Sequence, residues 1–164
     1  MKLAPTLEGG LRIDAEGAED WIVLDAICAD AAHLPGPPLY DQVSEHMPED
    51  SDWEEFVASD IRNQFSDQIA HVSRAISSAK RDESQMGAVF VEKEDAMTWY
   101  GAINQARMTL EQLYQVSSID DFLELDDMQD LSEEKHSALI RSHFYSAMQS
   151  LLLDYVLDLS LIHI

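Results

Sequence analysis

The segment 53-WEEFVASDIRNQFSDQIAHVSRAI-76 decides the fold. Its apolar residues Trp53, Phe56, Val57, Ile61, Phe65, Ile69, Val72 and Ile76 recur at steps of three or four, the spacing that puts side chains on one face of an α-helix. Ser51 or Asp52 can cap this helix, and its polar remainder makes an amphipathic rod to about Lys80, on the order of 40 Å long. A rod of that length is a wall of a domain. The rest of the chain must therefore supply partners for its apolar stripe.

Upstream, Leu3, Leu7, Leu11 and Ile13 flank Gly9-Gly10, which predicts a hairpin over Lys2 to Asp14 with Pro5 confining its strand to an edge. From Glu16 the period changes, and Trp21, Leu24, Ile27, Cys28 and Ala31 predict a helix to about Ala32, ended by Leu34-Pro35-Gly36-Pro37-Pro38. Pro38 opens a short helix carrying Leu39 and Val43 that Pro48 closes. Downstream, Met86 to Val91 is short, β-branched and aromatic, a strand suited to pair with the hairpin. Glu94 to about Gln115 is a helix with the stripe Met97, Tyr100, Ile103, Ala106, Leu110, Leu113 and Tyr114, and Trp99 sits beside that stripe. Ser118 caps a short helix with Ile119, Phe122 and Leu123. Asp130-Leu131-Ser132-Glu133, with Asp130 in the cap role, opens a last helix through Leu139, Ile140, Phe144, Met148, Leu151, Leu152, Tyr155, Val156 and Leu159. Its second half is apolar nearly all round. That marks the central member of a bundle, although a dimer or partner surface leaves the same trace.

These elements predict a mainly α fold, an irregular bundle of about four principal helices with a small antiparallel sheet made by the N-terminal hairpin and the strand near 86–91. One domain is expected over residues 1–164, near the usual length for a single core.

The charge is extreme: 32 acidic against 10 basic side chains, a formal net of −22. Such a surface repels nucleic-acid phosphates and anionic membranes, so direct nucleic-acid binding and membrane association are not expected. The carboxylates are dispersed along amphipathic helices, which reads as a solubility coat or an adaptation to salty surroundings; a surface for a basic partner, or a mimic of the nucleic-acid backbone, is the sharper alternative. The oiliest stretch, Leu151 to Leu159, is broken by Asp154 and Asp158, too short and too polar to cross a bilayer. The start, with Lys2, Pro5, Glu8, Gly9 and Gly10, lacks the apolar middle of a secretory signal, so a cytoplasmic location is expected. Cys28 is the single cysteine and falls on the apolar side of its helix, which favours a core residue over a nucleophile.

The run Val89-Phe90-Val91-Glu92-Lys93-Glu94-Asp95-Ala96-Met97-Thr98-Trp99-Tyr100-Gly101-Ala102-Ile103-Asn104-Gln105-Ala106-Arg107-Met108-Thr109-Leu110 resembles a bacterial family best known from actinobacteria, numbered two thousand and seventeen among the domains of unknown function. Its members look like a short strand, an acidic helix start, then Trp, Leu-Asn, Arg and Leu on one helix, matched here by Trp99, Ile103, Asn104, Arg107 and Leu110. The closing Leu151 to Tyr155 is similar to the family's last helix. Glu92 stands where the family often has Thr or Ser, and Gln105 where it often has an acid. Members are often encoded beside the adaptor that delivers substrates to the Clp protease, so the resemblance implies a proteolysis-linked role.

Two histidines follow an acid by three residues, Asp30 with His33 and Glu133 with His136. On a helix that spacing presents carboxylate and imidazole on one face, as di-iron bundles do, and Asp60 or Asp67 with Asp95 or Glu111 are the nominal further donors. A metal-binding bundle is therefore the alternative function; no metal or other cofactor belongs to the first reading. Asp67 with His71, and His136 with His143, also share faces, without the third group a triad requires. No nucleophile elbow, phosphate loop or dinucleotide fingerprint is present. On the helix after the strand, Tyr100, Asn104, Arg107 and Glu111 share a face. Either Arg107 pairs an acid of a neighbouring element as a register clamp, or Trp99, Tyr100, Asn104 and Arg107 form a groove that grips a peptide or carboxylate. The function expected first is a non-enzymatic interaction or regulatory module with a protein partner, with homodimerisation through the apolar C-terminal helix as a further use of surface.

Overall fold

The computed structural model describes residues 1–33, 58–116 and 132–157. The hairpin forms as β1 (Lys2–Pro5) and β2 (Leu11–Ala15), with Lys2 opposite Asp14 and Pro5 opposite Leu11. Its turn spends both glycines. Gly9 N donates to Thr6 O and Thr6 N to Gly10 O, with Gly9 at φ 92, a conformation that side chains disfavour. A Cβ on Gly10 would lie 2.3 Å from the Val91 carbonyl oxygen, so the second glycine is what lets the next strand come close.

That strand is β3 (Gly87–Val91), antiparallel to β2 with Leu11 opposite Val91 and Ile13 opposite Val89, giving the order β1-β2-β3. Alternation then buries Leu11, Ile13, Ala15, Val89 and Val91 on one face and sends Arg12 and Phe90 to the other. Met86, expected inside the strand, lies just before it and is exposed. The loop into β3 repeats the first turn's design. Asp82 N donates to Met86 O, Gln85 N donates to Asp82 O, and the Asp82 carboxylate accepts from the amides of Ser84 and Met86, with Gln85 at φ 62 where the first loop has Gly9. Trp21 Nε1 donates to the Gln85 carbonyl at 2.7 Å and so fixes this loop to the first helix.

Among the described residues four long helices form, so the fold is mainly α with a small antiparallel sheet: α1 (Ala18–Ala32), α2 (Ala58–Ser77), α3 (Ala96–Tyr114) and α4 (Glu133–Leu151). A 3₁₀ turn, Lys93–Asp95, leads into α3, and Gln115 in the left-handed conformation ends it. The N-cap of α4 is Ser132, whose hydroxyl accepts from Lys135 N at 3.2 Å. The cap expected at Asp130 lies outside the described residues, as do Ser51, Asp52, Trp53, Phe56, Val57, Leu159 and the short helices expected after Pro38 and Ser118. Beyond Leu151 the chain widens into a π-helical turn, Leu152–Leu157.

The central helix is α3, not the last one. It packs against α1, α2 and α4, while α4 packs on α3 and α1. Ala96, Gly101, Ala102 and Ala106 explain the difference, because small side chains let neighbouring helices approach α3 from several sides. Its apolar stripe is also rotated from the expected one. Trp99 is in the core with Ile103 and Leu110, whereas Met97 and Leu113 are exposed. Among the described side chains of α2, Val72 and Ile76 are fully buried, and Ile61, Phe65 and Ile69 are half-buried. No helix among the described residues is long and apolar enough to cross a membrane.

Candidate functional site

The strongest polar constellation joins α1 to α4. Arg141 grips Asp30 in a two-pronged contact, Nε to Oδ2 at 2.8 Å and Nη2 to Oδ1 at 3.3 Å, and Tyr145 donates its hydroxyl to Oδ2 at 2.6 Å. Ser137, one turn earlier on α4, accepts from Arg141 Nη1 at 2.8 Å. Spacing explains the placement, since Ser137, Arg141 and Tyr145 follow at intervals of four and stack on one helix face. Burial would lower the Arg141 pKa, but the hydrogen bond and charge of Asp30 more than offset it and the guanidinium is held above its usual value. Burial first, and the Asp30 contact second, push the Tyr145 phenol well above the tyrosine range. A phenol so held neither donates nor accepts protons near neutral pH, and the constellation acts as a fastener.

This fastener takes one of the expected metal ligands. Asp30 is committed to Arg141, His33 is exposed at the C-cap of α1, and Glu133 and His136 are exposed in the first turn of α4. Among the described residues no group of three or more His, Cys, Asp or Glu side chains gathers as a metal ion requires. Asp60, Asp67 and Glu111 are likewise exposed, and His71 faces Asp95 at 3.5 Å across the α2–α3 contact instead of its helix neighbour Asp67.

The cluster expected on α3 divides. Trp99 is fully buried, so it walls no open groove, and Tyr100 is half-buried. Arg107 and Asn104 do meet, through α4: Arg107 Nη1 donates to Gln149 Oε1, and Gln149 Nε2 reaches Asn104 Oδ1 at 3.5 Å. Arg107 is thus held by an amide and not by the acid the clamp reading expected. Gln149 itself is buried, and an interior glutamine on an otherwise apolar helix face is the sequence signal that could have pointed to this contact.

Cys28 is half-buried, with Sγ 3.7 Å from the Ile69 carbonyl oxygen. Burial, and then the charge of Asp25, push its thiol up to about 11. The thiolate is the reactive form, so folded protein at pH 8 should be alkylated by iodoacetamide about a hundredfold more slowly than urea-unfolded protein, with a rate rising tenfold per pH unit until near the thiol's own value. Equal rates in the two states would show that the thiol is not shielded.

Open surface of a different kind lies on the outer face of the sheet. A cleft of about 520 Å³ runs between the hairpin and β3, with Pro5, Leu7 and Phe90 as apolar lining and Glu8, Asp14 and Glu92 as carboxylates. Leu7, at the hairpin tip, is completely exposed, and half of Phe90 is accessible. Arg12 crosses the cleft with Nε 2.7 Å from Asp14 Oδ1 and its guanidinium 5.7 Å from the centre of the Phe90 ring. A solvated face of an antiparallel sheet is normally polar, so the exposed Phe90 beside Leu7 is the departure here. Alternation along β3 is the signal that places Phe90 outside, whereas Leu7 lies in the turn, where no period of two governs which way a side chain faces.

Comparison with curated proteins and with solved structures returned no match. A family model does match, over residues 29–156, which takes in α1 from its last turn, α2, β3, α3 and α4. That range is well over half of the 164 residues, and the chain belongs to the family described as Domain of unknown function (DUF2017).

Proposed function

We propose that the domain is a non-catalytic protein-binding module that holds an extended, basic segment of a partner in the cleft on the outer face of its sheet. One observation carries this reading: Leu7 and Phe90 stand exposed around a cleft edged by Glu8, Asp14 and Glu92. An apolar anchor in the partner would rest between Leu7 and the part of the Phe90 ring that Arg12 leaves open, and Lys or Arg beside it would meet Glu8 and Glu92, with the net charge of −22 steering the encounter. The titratable groups singled out from the sequence point away from catalysis, because Asp30 is fastened to Arg141 and Tyr145, and Arg107 to Gln149. The family's frequent neighbourhood to a protease adaptor makes such a segment one belonging to an adaptor or to a protein being delivered for degradation.

Selection of displayed peptides on the full chain, counter-selected on a Leu7→Ser/Phe90→Ser double variant, tests the reading. Peptides that bind the native chain should combine Lys or Arg with an aromatic or branched apolar residue. They should weaken about tenfold or more on the double variant and loosen as salt is added. Peptides that bind both chains equally, or that carry no basic residue, would overturn it.

A further inference from the structure

We propose that the outward face of α4 is a self-association surface, on which a second copy of this chain docks antiparallel about a twofold axis near Ala147. The proposal goes beyond the cleft and stands independently of it.

Besides the side it buries through Tyr145 and Met148, α4 carries a second apolar stripe. Ile140, Phe144, Ala147 and Leu151, continued by Tyr155 in the π-helical turn, follow at steps of three and four, the spacing of one helix face. Ile140 and Tyr155 are nearly half exposed, Ala147 is exposed, and Phe144 and Leu151 are only partly covered. Phe144 and Leu151 pack against the core at their inner edges, and the apolar area that the stripe leaves exposed has no cover among the described residues.

Charge selects the occupant. In a chain where 32 of 164 residues are acidic, no Asp or Glu occurs from Lys135 through Leu153. Two copies that each carry −22 repel wherever carboxylates would be apposed, and this face, with Asp154 beside Tyr155 at its end, is where they can meet with little of that penalty. A basic partner would gain nothing from a surface cleared of acids, whereas a second copy needs it cleared.

The stripe is also self-complementary. Ile140 and Tyr155 are equidistant in sequence from the Ala147-Met148 midpoint, and so are Phe144 and Leu151. Antiparallel docking therefore brings Ile140 of each copy against Tyr155 of the other and Phe144 against Leu151, as an isologous contact requires. Ala147 falls at the crossing, where a small side chain allows the two helices to approach closely. The face is about 22 Å long from Ile140 to Tyr155, the scale of a modest interface and not of an obligate one. A reversible dimer is the expected result.

Sedimentation velocity of the full chain across a wide concentration range, at about 0.05 and 0.5 M salt, reads this directly. The expected result is a monomer–dimer equilibrium that tightens at the higher salt, because screening relieves the repulsion between copies. Ala147→Glu places a carboxylate from each copy at the crossing, on an exposed position where folding should be unaffected. It should weaken dimerisation by about a hundredfold or more while leaving the thermal midpoint unchanged. Ile140→Glu, displaced from the axis, should give the same loss. A chain that stays monomeric at every concentration, or a dimer that both variants leave intact, would overturn the proposal. So would a monomer in which Ala147→Glu lowers the thermal midpoint, since that result means another part of the same chain covers the stripe. None of these outcomes touches the cleft, which the peptide selection tests separately.

Discussion

Arg141→Ala is expected to lower the free energy of unfolding by about 2–3 kcal/mol, below the cost of about 3–5 kcal/mol for breaking a fully buried ion pair because this one is partly exposed. The side chains of Arg141 and Asp30 are only 19% and 15% exposed, so truncation strands a carboxylate with little more than the Tyr145 hydroxyl to face it. Tyr145→Phe deletes the other contact and should cost about 1.5–3 kcal/mol, the range for a hydrogen bond to a charged group. The double change Asp30→Leu/Arg141→Met should recover much of the loss, since neither charge then remains unpaired. Urea midpoints at constant m-value separate these cases, and an Arg141→Ala midpoint indistinguishable from the native one would show that the pair is not a fastener. Alkaline pH adds a check. The Tyr145 proton is held more tightly in the folded state than in the unfolded chain. Below the ordinary tyrosine value near 10 both states keep the proton and stability is indifferent to it; above that, the unfolded state releases it and stability falls as pH rises.

The Asp30–Arg141 contact also marks the limit of what the sequence discloses. Helices are legible because their signal is local: Leu24 and Ile27, or Ile103, Ala106 and Leu110, announce a buried face within a few turns. The sheet was legible for the same reason, from Gly9-Gly10 and the run ending in Val91. Asp30 and Arg141 are 111 residues apart, and no periodicity relates them. The order of packing was hidden for another reason. Hydrophobicity favoured the greasy end of α4 as the centre, but the helix that others surround is α3, whose Ala96, Ala102 and Ala106 contribute little apolar area and much room. The excess apolar character of α4 went to its outward stripe instead. The predicted metal ligands failed on position within the element: His33, Glu133 and His136 sit at helix ends, where side chains of correct spacing still point to water.

Trp99 illustrates the same limit, and its replacement carries the second large effect. Trp99→Ala should cost about 3–5 kcal/mol, because it empties an indole-sized volume beside the central helix, which the surrounding side chains can only partly refill. Trp99→Phe should cost much less than that. The ring remains, and although the indole Nε1 is buried it has no hydrogen-bond partner among the described residues, so its removal breaks nothing there and relieves an unsatisfied donor. Trp21 offers the internal control. It is as deeply buried, but its Nε1 donates to the Gln85 carbonyl at 2.7 Å and the Arg81 guanidinium lies 3.9 Å from the centre of its ring. Trp21→Phe therefore loses a bond that holds the loop into β3, and leaves the Gln85 carbonyl without that donor. It should be the costlier of the two conservative changes by about 1 kcal/mol or more. The midpoints of the two Phe variants in one urea series decide the matter: equal values, or a reversed order, would mean that the Trp99 indole nitrogen has a partner after all. If the order holds, Trp99 acts by filling space in the core, and the tryptophan in the family-like run on α3 is there for packing and not for contact with a ligand.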